Sequence, residues 1–358
     1  MPHKVNRRIP VGVLGATGAV GQRMISILAD HPWFELVELA ASSRSSSKTY
    51  GEAVKWKLAA PLPATAAGLS VRTLDPVDGP FVSKLLFSAL DADIAGEVEA
   101  RLAAAGHAVV SNSRNHRFDP DVPLVIPEVN REHLTLIQAQ KSRLGSEGFI
   151  VTNPNCSSTG MTMALAPIEE TFGIESLVVA TLQAVSGAGY PGLPSMDILD
   201  NVVPFIPGEE EKIEHEPLKM LGCLSATGCT IEEATFPIAA MVHRVPTVDG
   251  HIVSLFVRTR RHATINEVKT AWEAWSMRRA LDLPTAPAEP LVYLDAADRP
   301  QTRLDRDLGR GMTTSLGRLR SSEDGALRFV CLSHNTIRGA AGAAVLNAEL
   351  LVSEGYVR

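Results

Sequence analysis

The amino-acid sequence predicts an α/β protein built around a doubly wound parallel sheet. Four short apolar segments have the length and composition of buried strands, and helical patterns alternate with them. Such alternation is typical of a parallel sheet with helices on both faces. The chain has 358 residues, which is too long for one ordinary core, so we expect two domains. The predicted strands cover residues 11–14, 34–41, 85–93 and 108–112, and the predicted helices cover 18–29 and 94–105.

The composition is that of an ordinary globular protein. Apolar residues make up 45% and charged residues 21%, which excludes disordered and fibrous classes. The formal net charge of −6 gives no reason to expect nucleic acid or an anionic membrane as a partner. No apolar run approaches a membrane-spanning length, and the basic N-terminus continues into a strand instead of a signal-type segment.

The cysteines indicate a reducing environment. There are four, without metal-ligand spacing, and they are too few for a disulfide-stapled secreted domain. We therefore expect no metal site and a cytoplasmic location. The cysteines are Cys156, Cys223, Cys229 and Cys331.

A glycine-spaced turn follows the first strand. Residues 11–21 read VGVLGATGAVG, in which Gly15, Gly18 and Gly21 form G-x-x-G-x-x-G, a variant of the usual G-x-G-x-x-G. A strand, a glycine turn and a helix in this order let the backbone approach a pyrophosphate at a helix N-terminus. This context favours a dinucleotide site over a purely structural turn.

The end of the second strand indicates which dinucleotide is preferred. NAD sites usually have Asp or Glu at this position, whereas residues 42–48 read SSRSSSK. Hydroxyl groups around an arginine suit a 2′-phosphate, so NADP is favoured. The alternative interpretation is a solvated serine-rich loop.

Residues 111–130 form a long polar segment rich in proline. Loops of this length without structure of their own are often functional. Arg114 and Arg117 are both suited to meet an anion, and the sequence leaves open which of them does. An amphipathic helix is expected over residues 131–141.

Cys156 follows a strand and the tripeptide Asn-Pro-Asn, at the start of an apolar-periodic helix. The unpaired N–H groups and the positive end of the helix dipole favour thiolate, so we expect a lowered pKa and a nucleophile. The same amides are placed to hold an oxyanion. From its position alone, Cys156 is as well explained as a small buried core residue as it is as a nucleophile.

The second half of the chain contains longer apolar strands. One covers residues 177–185 and is followed by a flexible glycine-rich stretch. Residues 209–216 are a charge run, for which a solvated helix face is the default interpretation. Segments 241–248 and 251–258 flank Asp249-Gly250, which predicts a β-hairpin.

His251 begins the second of these segments and alternates with Val253, Leu255 and Val257. It therefore points to an apolar face, where a core or edge histidine is commoner than a catalyst. Further on, the sequence predicts a helix over 266–281, a strand over 326–332 and a helix of small residues over 335–351.

An NADP-type site, a cysteine at a helix N-terminus and a histidine on a separate strand indicate an oxidoreductase acting at the aldehyde or acyl level through a thioester. Long motifs along the chain resemble the aspartate-semialdehyde dehydrogenase family of the archaeal and fungal type. The motifs are GATGAVG, ASSRSSSKTYGE, SNSRNHRFDPDVPLVIPEVN, TNPNCSSTG, QAVSGAGYPG, GEEEKIEHEP, HRVPTVDGH and HNTIRGAAGAAVLNAELL.

This resemblance implies NADPH-dependent reductive dephosphorylation of L-β-aspartyl phosphate to L-aspartate β-semialdehyde, in lysine, methionine, threonine and isoleucine biosynthesis. Cys156 would be the nucleophile, His251 the general acid and base, and Gln183 the residue that orients the acyl group. The role implied for His251 reverses the interpretation from strand alternation alone.

The resemblance also implies binding residues. Arg117 and Lys212 would hold the phosphate, Glu209 and Arg244 the amino and carboxylate groups, and Asn155 belongs to the substrate set. Glu209 and Lys212 would then be site residues and not part of a solvated run. The residues implied for NADP are Gly15, Thr17, Gly18, Ala19, Val20, Ser43, Arg44, Ser88, Ser186, Gly187 and Asn335.

The family organisation implies that residues 1–154 form an NADP-binding domain, completed by the C-terminal segment 333–358. Residues 155–332 would be an inserted α+β domain for catalysis and dimerisation. A homodimer or homotetramer is expected.

Three alternatives carry weight. Malonyl-CoA reductase shares several motifs, but Asn155, the Glu209–Lys212 pair and Val245-Pro246 follow the semialdehyde dehydrogenase pattern. N-Acetyl-glutamyl-phosphate reductase shares the chemistry, but it is less similar around Arg117. A non-catalytic nucleotide-binding protein would have no use for Cys156, Gln183 and His251 together.

Overall fold

The first half of the chain forms a parallel six-stranded sheet. The computed structural model describes residues 7–75 and 78–358, so residues 1–6 of the basic N-terminal segment lie outside it. The strand order is β3-β2-β1-β4-β5-β6, and all neighbours are parallel, as in a doubly wound sheet. The strands are β1 (Ile9–Leu14), β2 (Phe34–Ala40), β3 (Val71–Arg72), β4 (Leu85–Ser88), β5 (Ala108–Ser111) and β6 (Phe149–Thr152).

Helices connect these strands. Two of them follow the prediction closely, because their apolar residues recur at helical spacing and bury one face on the sheet. The predicted helix over 131–141 is instead a 3₁₀ turn followed by a short α-helix that ends at Gly145 in the left-handed conformation. The helices are α1 (Ala19–Leu28), α2 (Tyr50–Ala53), α3 (Ala64–Ala67), α4 (Ala92–Ala104), α5 (Pro127–Asn130) and α6 (Leu136–Leu144).

The second half forms a mixed six-stranded sheet with the order β10-β7-β11-β14-β13-β12. A small two-stranded ribbon, β8 and β9, lies beside it. The α/β fold class predicted from sequence is therefore confirmed. The strands are β7 (Ile174–Ala184), β8 (Cys223–Leu224), β9 (Ile231–Glu232), β10 (Ile238–Val245), β11 (His251–Thr259), β12 (Leu291–Leu294), β13 (Thr314–Ser321) and β14 (Leu327–Ser333).

A central helix, α7, packs on this mixed sheet. Its residues from Ser157 to Ile168 are all buried, and Trp272 of the neighbouring helix donates an indole N–H to the Ala164 carbonyl at 2.9 Å. A helix buried on most sides fixes its own N-terminus firmly. The helices of this half are α7 (Cys156–Phe172), α8 (Ser195–Ile198), α9 (Glu209–Met220), α10 (Ile265–Arg279), α11 (Thr302–Asp305) and α12 (Gly342–Ser353).

The C-terminal helix α12 returns to the first sheet. Its residues Ala344, Val345 and Leu351 share one hydrophobic core with Val11 and Val110. The last helix and the first strands are thus packed as one unit. The exact domain boundaries at 154 and 333 stay predictions.

The hairpin predicted at Asp249-Gly250 is wrong. Strand β7 lies between β10 and β11, pairing parallel with the first and antiparallel with the second. The turn dipeptide marks a real change of direction, but a strand more than sixty residues earlier takes the central position. The segment is therefore a connection across the end of β7.

Residues 111–130 are less loop-like than predicted. Val122, Leu124 and Ile126 are buried, Leu124 forms a bridge to Thr152, and the segment ends in α5. Within residues 7–75 and 78–358, no helix combines the length and apolar character needed to cross a lipid bilayer.

Candidate active site

Two cavities meet at Cys156. The larger, of about 780 Å³, extends from Ala19 and Val20 at the start of α1 to Cys156 and Lys212. The smaller, of about 400 Å³, shares Cys156 and Lys212 and is also lined by Glu209 and Arg244. The thiol therefore lies where a long cleft joins a compact pocket that is largely apolar but contains charged side chains, as ligand sites with a few orienting polar groups do.

The glycine turn closes one end of the cleft. Gly15 has φ of +76°, and a Cβ there would lie 2.5 Å from the carbonyl oxygen of Ala89. At Gly21 a Cβ would lie 2.3 Å from the carbonyl oxygen of Gly15, so the helix packs tightly on the turn. Gly18 caps α1 without a side-chain hydrogen bond, which leaves the first helical N–H groups free for an anion. This cradle fits the pyrophosphate of a dinucleotide.

Thr17 belongs to the glycine turn itself, and the other predicted cofactor residues are those of the cleft, those of the turn after β2, and Ser88. Ala19, Val20, Ser186, Gly187 and Asn335 line the cleft. Ser43 and Arg44 lie in an exposed 3₁₀ turn directly after β2, where an adenosine ribose is expected.

Ser88 does not line the cleft. It is buried, and its hydroxyl donates to Glu99 at 2.6 Å, so its side chain is engaged in the interior of the first half. Sequence reasoning also missed Arg23 and Lys57, which line the cleft and carried no motif to reveal them.

Asn335 joins elements from both ends of the chain. Its Oδ1 accepts the Gly250 N–H at 2.8 Å, and its Nδ2 donates to the Ser186 hydroxyl at 2.8 Å. The C-terminal segment thereby holds the loop after β7 against the start of β11.

Cys156 is the first residue of α7, as predicted, and Asn155 is its N-cap. Asn155 Oδ1 accepts the N–H groups of Ser157 at 2.8 Å and Ser158 at 3.3 Å. These two amides, which sequence reasoning offered to an oxyanion, are thus occupied by the cap.

The expectation of a lowered pKa for Cys156 is wrong. The side chain is partly open to the cavities, yet protein surrounds it so closely that burial raises the thiol pKa to about 12. The Glu209 carboxylate adds to this effect, and Arg244, Arg117 and Lys212 oppose it without overcoming it. The resting thiol is therefore protonated at neutral pH.

Glu209 lies at the start of α9 and is held by three neighbours. Asn155 Nδ2 donates to it at 2.8 Å and Lys212 Nζ at 3.0 Å. Burial works against ionisation, but Lys212, Asn155 and Gln183 outweigh it and hold the pKa of Glu209 below its usual value. The side chain is an ionised, fixed acceptor in the smaller cavity.

Three predicted residues lie side by side at one end of the mixed sheet. The register pairs Arg244 with Gln183 and Ile252 with Leu182, which brings His251 next to Gln183. Arg244 Nη1 donates to the Ala184 carbonyl at 2.8 Å. Gln183 and His251 are buried behind the cavity wall, and Arg244 opens into the smaller cavity.

His251 is a neutral side chain. Its Nδ1 accepts the Ala184 N–H at 3.0 Å, so the neutral ring carries its proton on Nε2. Nε2 has no hydrogen-bond partner in the described part of the chain, and a Cβ on Gly187 would lie 3.1 Å from it. Burial, aided by the charge of Arg244, lowers the pKa of His251 to about 3.

Arg117 lines the larger cavity beside the thiol. Its Nη1 donates to Glu216 at 2.7 Å and its Nη2 to the Asn112 carbonyl at 2.9 Å. Arg114 also lines this cavity, and its side chain is exposed. Sequence reasoning missed Glu216, although it lies seven residues after Glu209 on the same face of α9.

Gly339 covers the back of Cys156. It belongs to a π-helical turn (Ile337–Ala341), and a Cβ there would lie 2.6 Å from Cys156 Cβ and 2.8 Å from Cys156 Cα. We expect Gly339→Ala to displace the nucleophile, lowering kcat sharply and the free energy of unfolding by about 1–3 kcal/mol. Steady-state kinetics and thermal melting measure both effects.

Gly68→Ala is the matched control, because Gly68 has an ordinary φ of −84° and no atom within 4 Å of its built Cβ. If both variants kept the wild-type kcat and melting temperature, the close packing on Cys156 would have no functional consequence.

The fold and site together define a class. The site has a glycine cradle at a helix N-terminus and a cleft that ends at a cysteine, beside a mixed sheet in the second half. The sequence of this chain matches two protein-family models. They are the NAD-binding domain of semialdehyde dehydrogenases over residues 10–137 and the dimerisation domain of semialdehyde dehydrogenases over residues 165–338. The protein therefore belongs to the class of semialdehyde dehydrogenases.

Two relatives of similar sequence narrow this class. Aspartate-semialdehyde dehydrogenase from Archaeoglobus fulgidus is 49% identical, over 98% of this chain and 100% of its own length. That from Methanothermobacter thermautotrophicus is 50% identical, over 96% of this chain and 99% of its own. The chain belongs to the aspartate-semialdehyde dehydrogenase family.

A solved structure agrees with this assignment. Aspartate-semialdehyde dehydrogenase with NADP from Candida albicans superposes with a TM-score of 0.89 at 41% identity, covering 98% of this chain and 100% of that one. The resemblance inferred from the sequence motifs is therefore confirmed.

Proposed function

We propose that this chain catalyses the NADPH-dependent reductive dephosphorylation of L-β-aspartyl phosphate to L-aspartate β-semialdehyde, in lysine, methionine, threonine and isoleucine biosynthesis. The observation that carries the proposal is the junction of the two cavities at Cys156, with a nucleotide cradle at the end of one and Glu209 and Arg244 in the other. The name shared by the relatives supports the substrate class.

Cys156 is the nucleophile in this proposal. Its Sγ bonds to the acyl carbon, the bond from that carbon to the phosphate oxygen breaks, and the thiol proton leaves with the expelled phosphate. The enzyme then holds a thioester. Because burial keeps the resting thiol protonated, formation of the S–C bond requires the loss of this proton.

Charged side chains on the two cavity walls bind the substrate. Arg117 and Lys212 line the larger cavity and would hold the leaving phosphate by charge-assisted hydrogen bonds. Glu209 and Arg244 line the smaller cavity and would bind the amino and carboxylate groups. Asn155 fixes Glu209 from the residue before the nucleophile.

His251 and Gln183 act from the sheet. The neutral ring of His251 carries its proton on Nε2 and would donate a hydrogen bond where negative charge develops on the carbonyl oxygen. Its role as general acid and base stays a prediction. Gln183, beside it in register, would orient the acyl group.

NADP is the cofactor that we propose. When bound, NADPH supplies the hydride that reduces the acyl carbon. Ser43 and Arg44 would meet the 2′-phosphate at the end of β2. The remaining cofactor contacts would come from Gly15, Thr17, Gly18, Ala19, Val20, Ser186, Gly187 and Asn335.

A homodimer or homotetramer is the proposed assembly. Val178, Leu182, Met241 and Phe256 are exposed large apolar residues on one face of the mixed sheet, and the register pairs Val178 with Phe256. A contiguous apolar face of this kind is typical of an interface between identical subunits. The dimerisation-domain model covers all four residues.

The proposed location is the cytoplasm. All four cysteines are free, as is usual for proteins of a reducing compartment. Fractionation of the source cells tests this.

The decisive assay combines purified protein with L-aspartate semialdehyde, NADP⁺ and inorganic phosphate. We expect NADPH to form only when phosphate is present, and faster with NADP⁺ than with NAD⁺, because the strand end after β2 carries hydroxyls and an arginine instead of a carboxylate. Parallel reactions contain malonyl-CoA and NADPH.

Each result has a defined meaning. Turnover of malonyl-CoA without turnover of the semialdehyde would overturn the substrate assignment. Equal rates with NAD⁺ and NADP⁺ would overturn the cofactor preference. Binding of NADP without any turnover would indicate a non-catalytic nucleotide-binding protein.

A further inference from the structure

Helix α9 presents four charged side chains along one face. Glu209 and Lys212 line the cavities, and Glu216 and Lys219 follow at the next helical spacings. Glu216 is 0% and Lys219 3% exposed. Fully buried charges are costly unless they are paired. The burial of Glu216 and Lys219 therefore needs an explanation other than an exposed, solvated helix face.

The Glu216 carboxylate joins two parts of the site. Its Oε1 accepts Arg117 Nη1 at 2.7 Å, and its Oε2 accepts the backbone N–H of Asn155 at 2.6 Å. Asn155 immediately precedes Cys156 and caps its helix. One carboxylate thus connects the backbone beside the nucleophile to the arginine beside it.

Arg117 is held on a second side as well. Its Nη2 donates to the Asn112 carbonyl at 2.9 Å, and its side chain is 7% exposed while it still lines the larger cavity. The guanidinium therefore has a fixed plane and a fixed distance from the start of α7. A planar donor fixed in this way suits a phosphate oxygen pair.

Lys219 fixes the backbone that carries Arg117. Its Nζ donates to the carbonyl oxygens of Arg117, Asp119 and Val122 at 2.7, 2.8 and 2.9 Å. Three acceptors satisfy the three donors of the ammonium group. Helix α9 thus holds both the side chain and the main chain of this segment.

We propose that Glu216 is a positioning residue that sets the Arg117 guanidinium relative to Cys156, so that the phosphate group of the substrate is held next to the thiol. This inference rests on the proposed function and deepens it, because it assigns the geometry of phosphate binding to a residue that contacts no substrate. Support of this kind, from a residue behind the binding groups, is what keeps them in productive geometry.

The test is Glu216→Gln, which keeps the shape and removes the charge and one acceptor. In the phosphate-dependent oxidation of L-aspartate semialdehyde, we expect the KM for inorganic phosphate to rise about tenfold or more. The KM for NADP⁺ should stay within about twofold, because neither partner of Glu216 belongs to the glycine turn or to α1.

Two controls separate positioning from stability. Glu349→Gln changes another carboxylate that is 0% exposed and accepts hydrogen bonds from Thr285, away from the cavities. It should lower the melting temperature without raising the phosphate KM. In an Arg117→Ala background, Glu216→Gln should leave the phosphate KM unchanged, because its effect passes through Arg117.

A folded Glu216→Gln protein with the wild-type phosphate KM would overturn the inference, and so would an additive effect in the Arg117→Ala background. If the Gln variant does not fold, Glu216→Asp decides. It keeps the charge but withdraws the carboxylate by one methylene, and an unchanged phosphate KM there overturns the inference too. Absence of phosphate-dependent NADP⁺ reduction by the wild-type protein would instead refute the proposed function.

Discussion

Replacement of Cys156 by serine is expected to lower kcat by about a thousandfold or more while NADP binding persists. The oxygen of serine is a far weaker nucleophile than sulfur, and Cys156 is the only thiol among the described residues that line the two cavities. The cofactor cradle is formed by Gly15 and Gly18 at the other end of the cleft, so it does not depend on the thiol. Steady-state kinetics and NADP titration measure the two quantities.

Cys223→Ser is the matched control, since Cys223 is exposed in the small ribbon and takes no part in either cavity. It should retain the wild-type kcat. A Cys156→Ser protein with more than about one per cent of wild-type activity would rule out the thioester route.

The first sheet was predictable because its signals are local. Strand, glycine turn and helix follow one another over residues 9–28, and the helical spacing of the apolar residues in α1 is contained in that segment itself. The position of Cys156 at a helix start is equally local, because Asn155 is a preferred N-cap residue.

The errors came from packing between distant segments. Asp249-Gly250 is a turn signal, but the sequence does not tell which strand will lie beside β11, and β7 takes that position. The pKa of Cys156 depends on burial in the folded chain and on the Glu209 charge, which outweigh the helix terminus. Local electrostatics therefore gave the wrong sign.

The place of Glu216 on α9 was predictable from the sequence, but its burial was not. Glu209, Lys212, Glu216 and Lys219 recur at helical spacing, so a common face was predictable. That this face is buried was not, because its cover is the segment around Arg117, nearly a hundred residues earlier. A charge run can be a solvated face or a buried network, and only tertiary packing distinguishes them.

Replacement of His251 by alanine is expected to lower kcat by about a hundredfold or more, and His251→Gln by less. Glutamine keeps an N–H donor near the position of Nε2, whereas alanine keeps none. Because burial holds the pKa of His251 near 3, the ring stays neutral from pH 5 to pH 9. The wild-type rate should accordingly show no ionisation near pH 6.5 that belongs to this residue.

The same pKa makes a separate prediction about stability. The ordinary pKa of 6.5 applies to the unfolded chain and about 3 to the folded one, so the unfolded state binds more protons between these values. The contribution of His251 to the free energy of unfolding is then fully present above pH 6.5 and is lost as the pH decreases toward 3. His251→Gln cannot take up this proton, so its melting temperature should decline less between pH 6.5 and pH 4.

A pH–rate profile and a pH series of melting curves, measured on wild type, His251→Gln and His251→Ala, test both statements together. Loss of an ionisation near pH 6.5 from kcat/KM in the Gln variant would mean that His251 titrates in the working range and serves as an ordinary base. If the kcat values follow the predicted order, with wild type fastest, His251→Gln intermediate and His251→Ala slowest, the neutral ring acts as a hydrogen-bond donor. The Ala184 N–H on Nδ1 is the contact that makes the second outcome the expected one, because it keeps the ring proton on Nε2, beside Gly187, which lines both cavities.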